Sequence, residues 1–229
     1  HRAFWSFQPV RKSPLPRVSD KSWARGPIDS FILAKLEERG LKPVRPADKR
    51  TLLRRTYYDL IGLPPAPEDV DAFLKDSSPQ AFAKVVDRLL ASPRYGERWG
   101  RYWLDVARYS DDKLNSTQEE PYPNAYLYRN WVIQAFNQDM PYDRFVKAQI
   151  AGDLMEEEER RRRPGVGEAG SAAGAGDLMS EPDLAAGLGF YALRPEFQDD
   201  RVDATTRGFL GLTVACAQCH DHKYDPIPT

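Results

Sequence analysis

Residues 78–109 read SPQAFAKVVDRLLASPRYGERWGRYWLDVARY. The pairs Ser78-Pro79 and Ser92-Pro93 both suit a helix start, because serine offers a capping oxygen and proline is tolerated at the first helical position. After the first pair, Phe82, Val85, Val86, Leu89 and Leu90 form an apolar stripe at helical spacing. After the second, Trp99, Tyr102, Trp103, Val106 and Tyr109 do the same. Two start signals in succession, each followed by a helical rhythm, predict two consecutive helices.

The pattern extends in both directions. Upstream, Pro27 suits a first helical position, Ile28, Phe31, Ile32 and Leu36 recur on one face, and Gly40 suits the end. Asp48 can cap a second helix running to about Leu60, with Gly62 ending it before Pro64-Pro65. A short helix is predicted from Pro67 to Leu74. Downstream, Pro123 precedes a helix with Tyr128, Trp131, Val132, Ala135 and Phe136 on its apolar side. Pro141 begins another through about Ala151, which Gly152 should end, and a last helix is predicted from about Arg201 to Thr213. No strand pattern of useful length occurs. The predicted class is mainly α: an irregular multi-helix domain with a C-terminal c-type haem-binding segment.

Four stretches follow from this reading. Residues 1–26, rich in Pro and basic residues with Phe4, Trp5, Phe7 and Trp23, read as an extended N-terminal arm. Residues 27–155 read as the helical domain. Residues 156–180 read as a flexible insertion: Glu156 to Glu159 meet Arg160 to Arg163, charges that could prolong a solvated helix, before a Gly/Ala tract. Residues 181–229 read as a haem-attachment segment packed on the helical domain.

Composition narrows the function. Hydrophobic residues at 41% and charged residues at 29% fit a globular chain. Lys plus Arg number 33 against 34 Asp plus Glu, a net charge of -1, which argues against a nucleic-acid partner. No apolar run is long enough to span a bilayer. The chain starts at His1 and stops soon after its last motif, so a processed or truncated chain is expected, and the lack of a signal segment says nothing about export.

The only two cysteines stand in Cys216-Ala217-Gln218-Cys219-His220, the C-x-x-C-H pattern of c-type haem attachment. Thiols three residues apart can reach two vinyl groups on one haem edge, and the following imidazole can then ligate iron. One covalent haem c is expected, with Cys216 and Cys219 as attachment points and His220 as proximal ligand. Two other readings use the same pair: a zinc site completed by His222 and Asp225, or redox-active or disulfide-bonded thiols. His222 is too close to His220 to reach the far side of the same ring and reads as a hydrogen-bonded loop histidine near a propionate. Met140, Met155, Met179, an open site or a ligand from outside the chain remain for the sixth position.

The rest of the polar inventory is plainer. Tyr95, Trp99, Tyr102, Trp103 and Tyr109 read as core packing more readily than as a haem wall. Asp199, Asp200 and Asp203 lack the spacing of a calcium loop and suit a helix N-terminus. Arg201 and Arg207 are propionate partners by position. Arg108 with Asp105 forms either an i,i+3 ion pair or part of a distal pocket. No acid–base or nucleophile arrangement emerges, so no catalytic residue is assigned.

The motifs in order resemble a known family. Gly26-Pro27-Ile28-Asp29, Asp59-Leu60-Ile61-Gly62-Leu63-Pro64-Pro65, Tyr95-Gly96-Glu97-Arg98-Trp99, Trp103 to Tyr109, Arg129 to Ile133, Ala151 to Leu154, and Gly211-Leu212-Thr213 with Cys216 to Lys223 are similar to the planctomycete-type cytochrome-c-associated domain of unknown function. Residues 156–176 depart from it, as an insertion. The resemblance implies an exported protein, periplasmic or at the cell surface, in which this unit is the middle domain beside a cytochrome c domain. It brings no reaction with it. Electron transfer with a redox partner protein or an adjacent cytochrome domain is the expected function; a haem enzyme of peroxidase or oxidase type, and a non-redox module with a zinc or disulfide site, are the alternatives.

Overall fold

The computed structural model describes residues 7–111, 124–162, 183–192, 198–225 and 227–229. Phe4, Trp5, Pro123, Met179 and most of the expected insertion lie outside the described residues. Among those described, the regular structure is helical and contains no strand, in line with a mainly α class. The chain divides into two compact units, residues 1–48 and 49–229.

The first unit is built around α1 (Pro27–Glu38). Pro27 opens it, and the Asp29 carboxylate accepts the Gly26 N–H at 3.0 Å and the Arg25 N–H at 2.9 Å, satisfying donors that a helix start leaves unpaired. Gly40, at φ 66, ends the helix as expected, and Leu41 N–H closes onto Leu36 O at 2.9 Å. Glu37 ties the preceding segment to the helix by accepting the Ser19 N–H at 3.0 Å.

The second unit opens with α2 (Lys49–Leu60), α3 (Pro67–Lys75) and α4 (Ala81–Leu90). Leu53 and Tyr57 of α2, Phe73 of α3, and Ala81, Val85 and Leu89 of α4 form one buried cluster. The buried positions of α4 recur every four residues, a stripe rotated from the predicted one, so Phe82 and Leu90 are exposed. Gly62, at φ 73, ends α2 as read from the sequence.

The larger core forms around α5 (Arg94–Val106), α6 (Ala125–Asn137) and α7 (Tyr142–Arg162). Tyr128, Trp131, Val132 and Ala135 of α6 are essentially inaccessible. Helix α5 meets α6 through glycines: a Cβ on Gly96 would sit 2.3 Å from Ile133 O, and one on Gly100 would sit 3.4 Å from Val132 Cγ1. This contact turns the ridge carrying Trp99 and Tyr102 outward, where both are exposed, contrary to the core packing expected of them. Trp103 and Tyr109 do pack on the core.

Helix α7 does not end at Gly152. Its backbone leaves helical geometry at Ala151 (φ -150, ψ 41) and then resumes to Arg162. The ion pair between Arg144 and Glu159, at 2.9 Å, requires the two limbs to fold back, since 15 straight helical residues would span about 22 Å. Gly152 sits at the bend because Leu184 O occupies the place of its side chain, 1.9 Å from an ideal Cβ. The i,i+4 pairs Glu157–Arg161 and Glu158–Arg162 support the second limb.

Gln149 is inaccessible, and its Oε1 accepts Trp103 Nε1–H at 2.8 Å and the Tyr128 hydroxyl at 2.7 Å, while its Nε2 donates to Phe145 O at 3.2 Å. Both ends of the amide thus have partners, as burial demands. Burial drives the Tyr128 phenol well above its ordinary pKa, keeping it a neutral donor.

Candidate functional site

After a 3₁₀ turn (Leu184–Leu188) and α8 (Gly189–Ala192), the chain reaches α9 (Gln198–Thr205). The predicted single helix from Arg201 to Thr213 is replaced by α9, a π-helical turn (Thr206–Leu210) and a stop at Gly211, φ 65. The wider turn is held by packing: the Phe209 ring stacks on Trp103 at 5.6 Å and lies 5.3 Å from Phe190. Thr205 and Thr206 bond back to the carbonyls of Arg201 and Val202 at 2.6 and 2.9 Å, which also loosens regular helical pairing.

A second 3₁₀ turn (Val214–Gln218) presents the candidate site. Cys216 lies within it and Cys219 caps its end; both thiols are free and exposed. A 3₁₀ turn brings residues i and i+3 onto one side, which suits two attachments to one ligand edge. Ala217, between them, is buried and seats the turn. Gln218 donates to Asp199 at 2.7 Å, pinning the turn to α9.

His220 is exposed, with its Nδ1 2.8 Å from Asp221 O. A carbonyl only accepts, so Nδ1 carries the proton and Nε2 keeps its lone pair, the tautomer that an Nε2 iron ligand uses. The Asp221 carboxylate in turn accepts the Thr229 N–H at 3.0 Å and its hydroxyl at 3.1 Å, bonds that hold its pKa below the ordinary value.

His222 has a different surrounding. Its side chain is only 7% exposed, its Nδ1 accepts the N–H groups of Asp225 at 2.9 Å and Tyr224 at 3.2 Å, and its Nε2 faces Thr213 Oγ1 at 3.0 Å. The Asp225 carboxylate also lies 3.5 Å from Nδ1, but an ion pair there needs a proton where two donors already point. We therefore read the backbone bonds as the controlling ones. Both ring nitrogens are occupied, so His222 is a hydrogen-bonded loop histidine. Among the described residues no three His, Cys, Asp or Glu side chains converge as a metal site requires. Cys216, Cys219, His222 and Asp225 thus form no zinc tetrahedron.

The remaining sequence candidates separate clearly. Met140 and Met155 are partly buried against the α6–α7 core, which is a packing role. Among the described residues the Arg108 side chain forms no ion pair with Asp105: at φ 55 it spans from the end of α5 to Asp200 and Asp203 of α9. Arg207 Nε meets both Asp203 oxygens at 2.8 Å. Burial pushes the Asp203 carboxyl up, but the two guanidinium groups outweigh it and hold the pKa below the ordinary value. Arg201 keeps a buried Nε without a partner among the described residues. The four-residue spacing of Asp203 and Arg207 was a readable signal for their pair; the link to Arg108, 95 positions away, had none.

The model of the PSCyt2 family, described as a protein of unknown function (DUF1549), matches residues 27–229. No curated protein and no solved structure matches the chain.

Proposed function

We propose, from the premise that this chain belongs to the PSCyt2 family, that it is a c-type haem domain that passes electrons within a larger exported redox assembly. The observation that carries the reading is the arrangement at 216–220. Two free, exposed thiols share one turn, followed by an exposed imidazole whose Nδ1 is engaged and whose Nε2 is available. The family name adds a hint of association with cytochrome c.

In this reading Cys216 and Cys219 form the thioethers and His220 ligates the iron, through which the haem supplies reversible one-electron exchange. The chain's own residues position it. Gln218 and Ala217 seat the turn, Asp221 O orients His220, and His222 shapes the following loop through backbone N–H groups. The sixth ligand is left to Met140, Met155, Met179, an open site or a ligand from outside this chain. The partner is an adjacent cytochrome domain or a separate redox protein. No helix among the described residues is long and apolar enough to cross a membrane.

The test is expression with a cytochrome c maturation system, then a haem-stained denaturing gel and pyridine haemochrome analysis. Haem should survive denaturation in the wild type, show a single-thioether spectrum in Cys216→Ala or Cys219→Ala, and be lost in the double variant. Reversible one-electron reduction in a six-coordinate state supports a carrier; peroxide turnover at a five-coordinate iron favours the enzyme alternative. A wild type that binds no haem while its thiols cycle to a disulfide overturns the proposal.

A further inference from the structure

We infer that Arg207 is an anion-binding residue for a haem propionate carboxylate, aimed by Asp203 and presented beside the Cys216 turn. The inference rests on the haem reading and deepens it. Asp199 and Asp203 lie four residues apart on α9, hence on one face, and Arg207 follows at the same interval. Gln218, inside the cysteine motif, bonds to the first of these carboxylates, and Arg207 bonds to the second. The motif therefore lies along the α9 face from which the π-helical turn presents Arg207. The cation is also within electrostatic reach of Cys216.

The guanidinium is prepared on one edge and open on the other. Its Nε bonds to Asp203, a residue whose side chain is only 7% exposed and which is gripped from behind by Arg108. The Arg207 side chain is itself 50% exposed, and among the described residues its terminal nitrogens make no hydrogen bond. A paired N–H edge of this kind matches a carboxylate in two parallel bonds. A tetrapyrrole tethered through its vinyl edge carries two such carboxylates. Asp203 is a positioning residue here, holding the side chain that does the binding.

The test compares wild-type holoprotein with Arg207→Gln, which keeps a hydrogen bond to Asp203, and Arg207→Lys, which keeps the charge. Covalent haem content, midpoint potential and the propionate bending band in the resonance Raman spectrum are measured for each. Arg207→Gln should retain haem, lower the midpoint potential and shift the Raman band, because removing a nearby cation favours the oxidised iron. Arg207→Lys should restore the potential more than the band. Full haem content in Arg207→Gln with potential and band both unchanged overturns the inference while leaving the haem reading intact. A wild type without covalent haem removes the reading and the inference together.

Discussion

The α5–α7 core and the segment from residue 206 to the C-terminus are held by different forces. In the core, the rings of Trp131, Tyr128 and Phe145 lie nearly parallel, glycines let backbones touch, and the enclosed Gln149 amide is bonded at both ends. In the terminal segment only a few side chains, chiefly Phe209 and Ala217, anchor the chain to apolar surroundings. The loop that follows is shaped by His222, Asp221 and Gln218 through hydrogen bonds. Apolar burial is cooperative and unforgiving of lost volume, whereas polar staples leave reactive groups exposed at little cost to the whole. The main core and the candidate site thus lie in separate parts of one unit.

Substitutions can break that division or sharpen it. Trp131→Ala should have the largest effect, a loss of about 3–5 kcal/mol in urea unfolding, as a stacked ring is replaced by a cavity. Gly152→Ala should follow at about 3 kcal/mol, because Leu184 O is backbone and cannot step aside for a methyl group. Asp203→Asn, at the junction between the two regions, should cost about 2 kcal/mol at neutral pH, discounted for the partial exposure of both arginines. Its effect should depend on pH. A depressed folded pKa means that the wild-type advantage is complete above the ordinary carboxylate range, about 4, and is lost as pH falls through the folded value. Unfolding curves of the two proteins should therefore converge in acid. Cys216→Ser should change stability by less than about 0.5 kcal/mol, measured without haem. A large loss there would mean that the motif is part of the core after all.

The sequence announced helices better than it announced their faces. Proline and glycine punctuation located α1, α2, α4 and α5 to within a few residues, because those residues act on the local backbone. It missed which side of α5 is buried, since aromatic bulk pointed to Trp99 and Tyr102 while the contact is made by Gly96 and Gly100. The four-residue glycine spacing was the available clue. Gly152 read as a stop, yet it permits a bend whose cause, Leu184 O, lies on a distant segment. At the candidate site, the spacing of Cys216, Cys219 and His220 singled them out, and the structure sets both thiols free and exposed on one turn. The Arg108 bridge to α9 was not, because an ion pair between remote positions leaves no periodic trace.

Asn137 stands at the end of α6, yet its side chain completes the start of α5: Oδ1 accepts the Gly96 N–H at 2.7 Å and Nδ2 donates to Pro93 O at 3.1 Å. Pro93, the N-cap of α5, offers no side-chain cap, and Ser92 Oγ reaches only the Arg94 N–H, at 3.4 Å. The Gly96 donor waits for a residue 41 positions downstream, so the chain must close that loop before the turn is sealed. Isotope exchange at the Gly96 amide consequently times the docking of one helix on another and not the winding of either. A single backbone proton is a built-in clock for assembly of this core.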